Sequence, residues 1–166
     1  MKIRSDWLRP LTAIEMIDFF HVSQQDLINS RDIELPLTAN SKNSEKLKGM
    51  KVLLVEDSVD NQELFTIYLN RQGADISVAQ DGLEGMQKAL AHDYDVVLMD
   101  VQMPKMDGIT AVQKLRAGGY KKPVIALTAH AMKEERARCL NAGFTDFLSK
   151  PFNCNDLIEK IQYQVH

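Results

Sequence analysis

From Met50 to the C-terminus, short apolar runs alternate with segments of helical period, and no other feature restricts the fold as strongly. The apolar runs are Lys51 to Val55 (KVLLV), Asp75 to Ala79 (DISVA), Asp95 to Met99 (DVVLM), Pro123 to Leu127 (PVIAL) and the weaker Asp146 to Leu148. Between them, Asn61 to Arg71, Leu83 to Ala91, Ile109 to Leu115 and Ala131 to Ala142 read as helices, and Cys154 to Gln164 adds a fifth. The first, third and fourth runs are nearly continuous, as expected for strands covered by helices on both faces. Five strands joined by right-handed helical crossovers make an α/β fold with a doubly wound parallel sheet. Gly73, Gly119 and Gly143 fall at or near the predicted helix ends, where a left-handed residue stops the helix.

A chain of 166 residues holds one such domain and a short appendage. The stretch Thr38 to Lys48 (TANSKNSEKLK) is polar and without period, so residues 38–48 read as a linker and 49–166 as the α/β domain. Residues 1–37 form an unassigned extension, partly helical through Leu11, Ile14, Ile17 and Phe20. With 20 basic and 23 acidic residues, a net charge of -3 and no block of like charge, direct nucleic-acid binding and attraction to anionic membranes are not expected. The first twenty residues are punctuated by Lys2, Arg4, Asp6, Arg9, Glu15 and Asp18, which leaves no room for a signal core or a membrane span. Cys139 and Cys154 stand apart without a CxxC motif, which suits a reducing compartment, and a cytoplasmic location is expected.

In a sheet of this kind the functional site lies beyond the carboxyl ends of the strands, where strand order reverses. Those ends carry Glu56 and Asp57, then Asp100, then Thr128, then Ser149-Lys150-Pro151. An isolated acid at a strand end is usually a helix cap or a solvated loop residue. Three acids, a hydroxyl and an ammonium group from four strand ends are harder to explain that way. Clustered carboxylates repel one another unless a cation neutralises them, and an oxygen-only donor set suits a hard ion such as Mg2+. Beside such an ion Asp100 can act as a nucleophile toward phosphorus, with Thr128 and Lys150 binding the remaining phosphoryl oxygens.

At this point the sequence resembles the receiver domain of two-component response regulators and hybrid histidine kinases. The resemblance rests on KVLLVEDSVDNQ, VVLMDVQMPKMDGI around Asp100, PVIALTAHA and GFTDFLSKPF, and covers residues from about Met50 to His166. It implies a flavodoxin-like five-stranded sheet of order 2-1-3-4-5 and no turnover of an external metabolite. It implies that Asp100 is the phosphoacceptor, that Asp57 binds the metal directly, Glu56 mainly through water, and that Gln102 lends its backbone carbonyl to Mg2+ or Mn2+. By the same resemblance Thr128 is the switch hydroxyl, Phe147 the switch aromatic, and Lys150 the phosphoryl-contacting lysine, with a cis Lys150-Pro151 bond. Gln102 and His130 would flank the phosphoryl group and set its lifetime. The responding surface would comprise the fourth helix, fifth strand and fifth helix, with Met132, Arg136, Phe147 and Phe152. The implied partner is a sensor histidine kinase or a histidine phosphotransfer protein.

Other readings stand beside these. A phosphatase of the haloacid-dehalogenase type also uses Asp and magnesium, but places its DxDx(T/V) motif after the first strand. An FMN carrier of the same topology needs a phosphate-cradling loop there, and EDSVDN has no glycine. His130 lacks a second ligand at metal spacing, and His21 reads as a helix-face residue. Asp60 and Asn61 read as caps of the first helix. Asp32 to Leu37 (DIELPL) resembles the last strand of a histidine-kinase ATPase domain, which would make the chain part of a hybrid kinase. The competing expectation is an N-terminal helix that docks on the receiver. No output segment follows His166, so output is expected through a partner or a larger protein.

Overall fold

The computed structural model describes residues 45–129 and 132–165. The expectations for residues 1–37, for the linker up to residue 44 and for His130 fall outside the described residues. The order is β1 (Lys51–Val55), α1 (Val59–Arg71), β2 (Asp75–Ala79), α2 (Gly82–Ala91), β3 (Val96–Asp100), α3 (Gly108–Ala117), β4 (Val124–Thr128), α4 (Lys133–Ala142), β5 (Asp146–Ser149) and α5 (Cys154–Val165). All strand pairs are parallel and the sheet order is β2-β1-β3-β4-β5. The chain runs outward from β1 to β2 and then returns to the other side of β1. The reversal therefore lies between β1 and β3.

β3 and β4 are buried along their whole length, as is β1 after Lys51, while the edge strands β2 and β5 are partly exposed. This is the burial expected of a doubly wound sheet. β3, β4 and β5 extend one residue further toward their carboxyl ends than their apolar runs, because ladder pairing continues through Asp100 opposite Leu127 and through Thr128 opposite Ser149. At the other end, the Asp95 side chain accepts from the Lys51 N–H at 2.8 Å, and β3 begins one residue later. The polar residues excluded by an apolar pattern are thus the ones at the functional rim.

α1 starts at Val59 and is capped by Ser58, which accepts from the Asn61 N–H at 3.4 Å, so Asp60 and Asn61 lie in its first turn and are not its caps. It buries Phe65 and Leu69 and leaves Ile67 exposed. Phe152, expected on the surface, is buried and stacked on Phe65 at 5.7 Å between ring centres. Gly143 ends α4 at φ 114°, a backbone that a side chain would strain. There Arg116 of α3 donates to the Gly143 carbonyl at 2.8 Å, to Tyr120 at 2.7 Å and to Lys122 at 2.9 Å. One side chain ties the C-terminal ends of α3 and α4 to the approach to β4.

Residues 45–48, read from sequence as the end of the linker, close a turn ahead of β1. The Lys48 N–H reaches the Glu45 carbonyl at 3.2 Å, and the Leu47 N–H reaches the Gln72 carbonyl at 2.9 Å. Gln162 of α5 donates to the Lys46 carbonyl at 3.0 Å. Leu47, the one large apolar residue of that polar stretch, is fully buried. No helix among the described residues is long and apolar enough to cross a membrane.

Candidate functional site

Parallel strands bring their carboxyl ends to one rim, and the polar residues that follow β1, β3, β4 and β5 meet there. Among the described residues, the buried polar or charged side chains are Glu56, Asp81, Asp100 and Thr128. Three of these, Glu56, Asp100 and Thr128, belong to the set at the carboxyl ends of β1, β3 and β4.

Asp100 ends β3. One carboxylate oxygen accepts from the Gln102 N–H at 2.9 Å and the other from Lys150 Nζ at 2.6 Å. Lys150 also donates to Glu56 at 2.8 Å, so one ammonium group bridges two acids from different strands. The lysine is aimed inward from the end of β5, where its own N–H donates to the Thr128 carbonyl at 2.6 Å and the Lys150-Pro151 bond is cis. Glu56 accepts on its other oxygen from Asn61 at 3.0 Å and from the Ser58 N–H at 3.4 Å. Gln62 donates to the Glu56 carbonyl at 2.6 Å.

Asp57 is the exposed member, and oxygens of Glu56, Asp57 and Asp100 lie within 4.8 Å of one another. Burial pushes the Glu56 carboxyl above its ordinary range, and this outweighs the pull of Lys150. For Lys150 burial acts downward, but attraction by Glu56 and Asp100 dominates and the group is held above its ordinary range. Three carboxylates face one ammonium, and the surplus negative charge on hard oxygen donors fits a divalent cation. Gly108 is required on steric grounds, since a Cβ there would run into the Asp100 carbonyl oxygen.

The structure therefore brings together Glu56, Asp57, Asp100, Thr128 and Lys150, with the Gln102 backbone bonded to Asp100 and its side chain exposed. Phe147 lies apart on β5, half-buried, with the Arg136 guanidinium 5.2 Å and the Lys160 ammonium 5.7 Å from its ring centre. Asn61, read from sequence only as a cap of the first helix, and Gln62 prove to hold Glu56 in place. The available signal was two amide side chains in the first helical turn after a strand-end acid.

The family model described as the response regulator receiver domain matches residues 52–162. The chain is similar to the transcriptional regulatory protein HprR of Escherichia coli, with 38% identity over 116 residues that cover 70% of this chain and 52% of that one. It thus spans about half the length of this relative and a smaller share of several others. Among solved structures it is similar to the receiver domain of the sensor histidine kinase PA1611 from Pseudomonas aeruginosa, which has a magnesium ion coordinated in its active-site cleft. That match has a TM-score of 0.66 and 37% identity, over 70% of this chain and 98% of that one. It is also similar to the receiver domain of Ssk1 from Saccharomyces cerevisiae, solved with the histidine phosphotransfer protein Ypd1. There the TM-score is 0.66 with 27% identity, over 71% and 90% of the two chains. With the five-stranded order, the acids at the reversal point and a matching family model over two-thirds of its length, the chain belongs to the response regulator receiver domain family.

Proposed function

We propose that Asp100 accepts a phosphoryl group from a phosphohistidine and that the domain acts as the switch of a phosphorelay. The observation that carries this reading is the Asp100 carboxylate itself, buried at the point of strand reversal, paired with Lys150 and clustered with two further acids. An Asp100 oxygen attacks phosphorus, an acyl-phosphate O–P bond forms, the P–N bond breaks, and the departing imidazole keeps the electron pair and takes up a proton. Water later cleaves the O–P bond and restores the carboxylate. Nothing else is turned over, so the domain is a signalling substrate and no enzyme for an external metabolite.

Glu56, Asp57, Asp100 and the Gln102 carbonyl would hold Mg2+ or Mn2+. When bound, that ion supplies charge neutralisation for the phosphoryl oxygens and orientation of the group toward Asp100. Lys150 exchanges its bond to Asp100 for one to the phosphoryl group, and Thr128 contributes its hydroxyl. Phosphorylation adds about -1.5 to -2 charges and three acceptor oxygens. Drawing Thr128 and Lys150 toward them biases Phe147 and the α4-β5-α5 surface. Gln102 and His130 set how quickly water removes the group.

The donor is a sensor histidine kinase or a histidine phosphotransfer protein, as the Ssk1–Ypd1 pair supports by likeness. Membership of a hybrid kinase and a cytoplasmic location are compatible with this. Incubation with phosphoramidate and Mg2+ should add one phosphoryl group to the intact chain, and Asp100→Asn should abolish the addition. An unchanged mass, or a label at another residue, ends the proposal.

A further inference from the structure

Asp81, which follows β2, is the one buried acid among the described residues outside the Glu56-Asp57-Asp100 cluster, at 5% exposure. It caps α2, with one oxygen accepting from the Glu84 N–H at 2.9 Å. Its other oxygen accepts from Lys105 Nζ at 2.7 Å. Lys105 belongs to the loop of residues 101–107 that joins β3 to α3, which begins immediately after Asp100.

The shape of that loop is specific. The Met106 N–H donates to the Pro104 carbonyl at 2.7 Å and Lys105 between them has φ 62°. This is a γ-turn of the rarer hand, strained for any residue with a Cβ. A second tie lies next to the ion pair: the Gly82 N–H donates to the Met106 carbonyl at 3.1 Å, and a Cβ on Gly82 would collide with that oxygen. The loop tip is therefore fastened to the start of α2 at two adjacent points. Its base is fastened at the rim, through the Gln102 N–H to Asp100 at 2.9 Å and the Gly108 N–H to the Val101 carbonyl at 3.0 Å. The Gln102 carbonyl follows its own fastened N–H and precedes the turn at the tip.

We infer that the Asp81–Lys105 ion pair is a positioning element for the divalent-cation site: it holds the β3–α3 loop so that the Gln102 carbonyl stays in place beside Asp100. The inference rests on the reading of the rim given under Proposed function. An ion pair with an exposed lysine ordinarily contributes little. Here the acid is buried and one of its oxygens is taken by the Glu84 N–H, so Lys105 completes the coordination of a carboxylate with little access to water. Mutual attraction holds Asp81 below and Lys105 above their ordinary ranges, in keeping with this. A lysine at a position that favours glycine or asparagine also calls for a reason beyond the turn itself.

The test uses the full chain and Mg2+ alone, titrated by calorimetry, with urea unfolding measured in parallel. Lys105→Gly removes the ammonium group and relieves the backbone strain; Asp81→Asn removes the charge and keeps a capping oxygen. Each should weaken Mg2+ binding by about 3- to 10-fold, at or below the roughly 10-fold lower end of what direct outer-shell partners contribute. The double variant should be no weaker than either single one, and Lys105→Arg should restore the affinity. The urea midpoint of Lys105→Gly should stay level or rise because strain is relieved as the pair is lost, so weaker Mg2+ binding in that variant cannot come from partial unfolding. Mg2+ affinity unchanged in Lys105→Gly, or additive losses in the double variant, overturns the inference while leaving the rim intact. Wild-type chain with no Mg2+ uptake sensitive to Asp100→Asn overturns this inference and the proposed function together.

Discussion

Lys150 touches two of the three acids that would receive a metal ion, so its charge competes with that ion for Glu56 and Asp100. Replacing it with an apolar residue of similar length removes the competitor. Lys150→Met should therefore bind Mg2+ severalfold more tightly than wild type, yet accept phosphate from a small donor about 10²-fold more slowly, because an electrostatic partner of the transferring group is gone. Calorimetry and phosphorylation kinetics on the same preparation check both halves, and equal Mg2+ affinity would sink the competition argument. At this scale the rim was readable because parallel strands convert chain order into spatial neighbourhood, so residues that follow different apolar runs had to converge. The Asp81–Lys105 pair gave no such signal. Its members are 24 residues apart, Asp81 follows the second run but finds its partner deep in a loop, and the γ-turn that aims the lysine has no apolar signature. Asn61 was visible as a residue but its hydrogen bond to Glu56 depends on where α1 starts, which Ser58 decides.

Among the helices, α4 is the least secured at its start. Ser58, Asp81 and Asp107 each accept a backbone N–H at the head of α1, α2 and α3, and Asn153 does the same for Asp156 in α5. At the head of α4 stands Met132, extended and with no side-chain bond to offer. Glu135 occupies the third helical position, so Met132→Ser would complete a capping box. That change should stabilise the fold by about 1 kcal/mol, read as a higher urea midpoint, and slow amide exchange in the first turn of α4. A midpoint that falls would mean that Met132 holds something a serine cannot. Sequence reading placed each helix within a few residues, with starts less accurate than ends because capping is decided by one side chain. In α1 the apolar Ile67 is exposed, while Phe65 turns inward to stack on Phe152.

For the molecule as a whole, the folded unit reaches back past the first strand. Leu47 is fully buried beneath a turn that is bonded to the α1–β2 connection and to α5. Leu47→Ala should cost about 2–4 kcal/mol of unfolding free energy, as for other buried leucines. Denaturant unfolding measures this directly, and a chain begun at Glu45 should be correspondingly more stable than one begun at Gly49. A loss below 1 kcal/mol would show that the turn merely rests on the domain. A polar stretch with a single leucine offered no period to mark it as part of the core. The sheet order and the parallel register, in contrast, followed from the alternation of element types.

Arg116 gives the α4 side of the domain a mechanical asymmetry. By gripping the Gly143 carbonyl it rivets the lower end of α4, while the upper end starts without a cap. A helix of 10 residues is about 15 Å long, so a tilt of about 5° around the rivet carries its free end through roughly 1 Å and leaves the foot unmoved. Displacement is thus largest beside the strand ends and vanishes at the opposite edge of the sheet, which lets the domain behave as a lever with a fixed fulcrum.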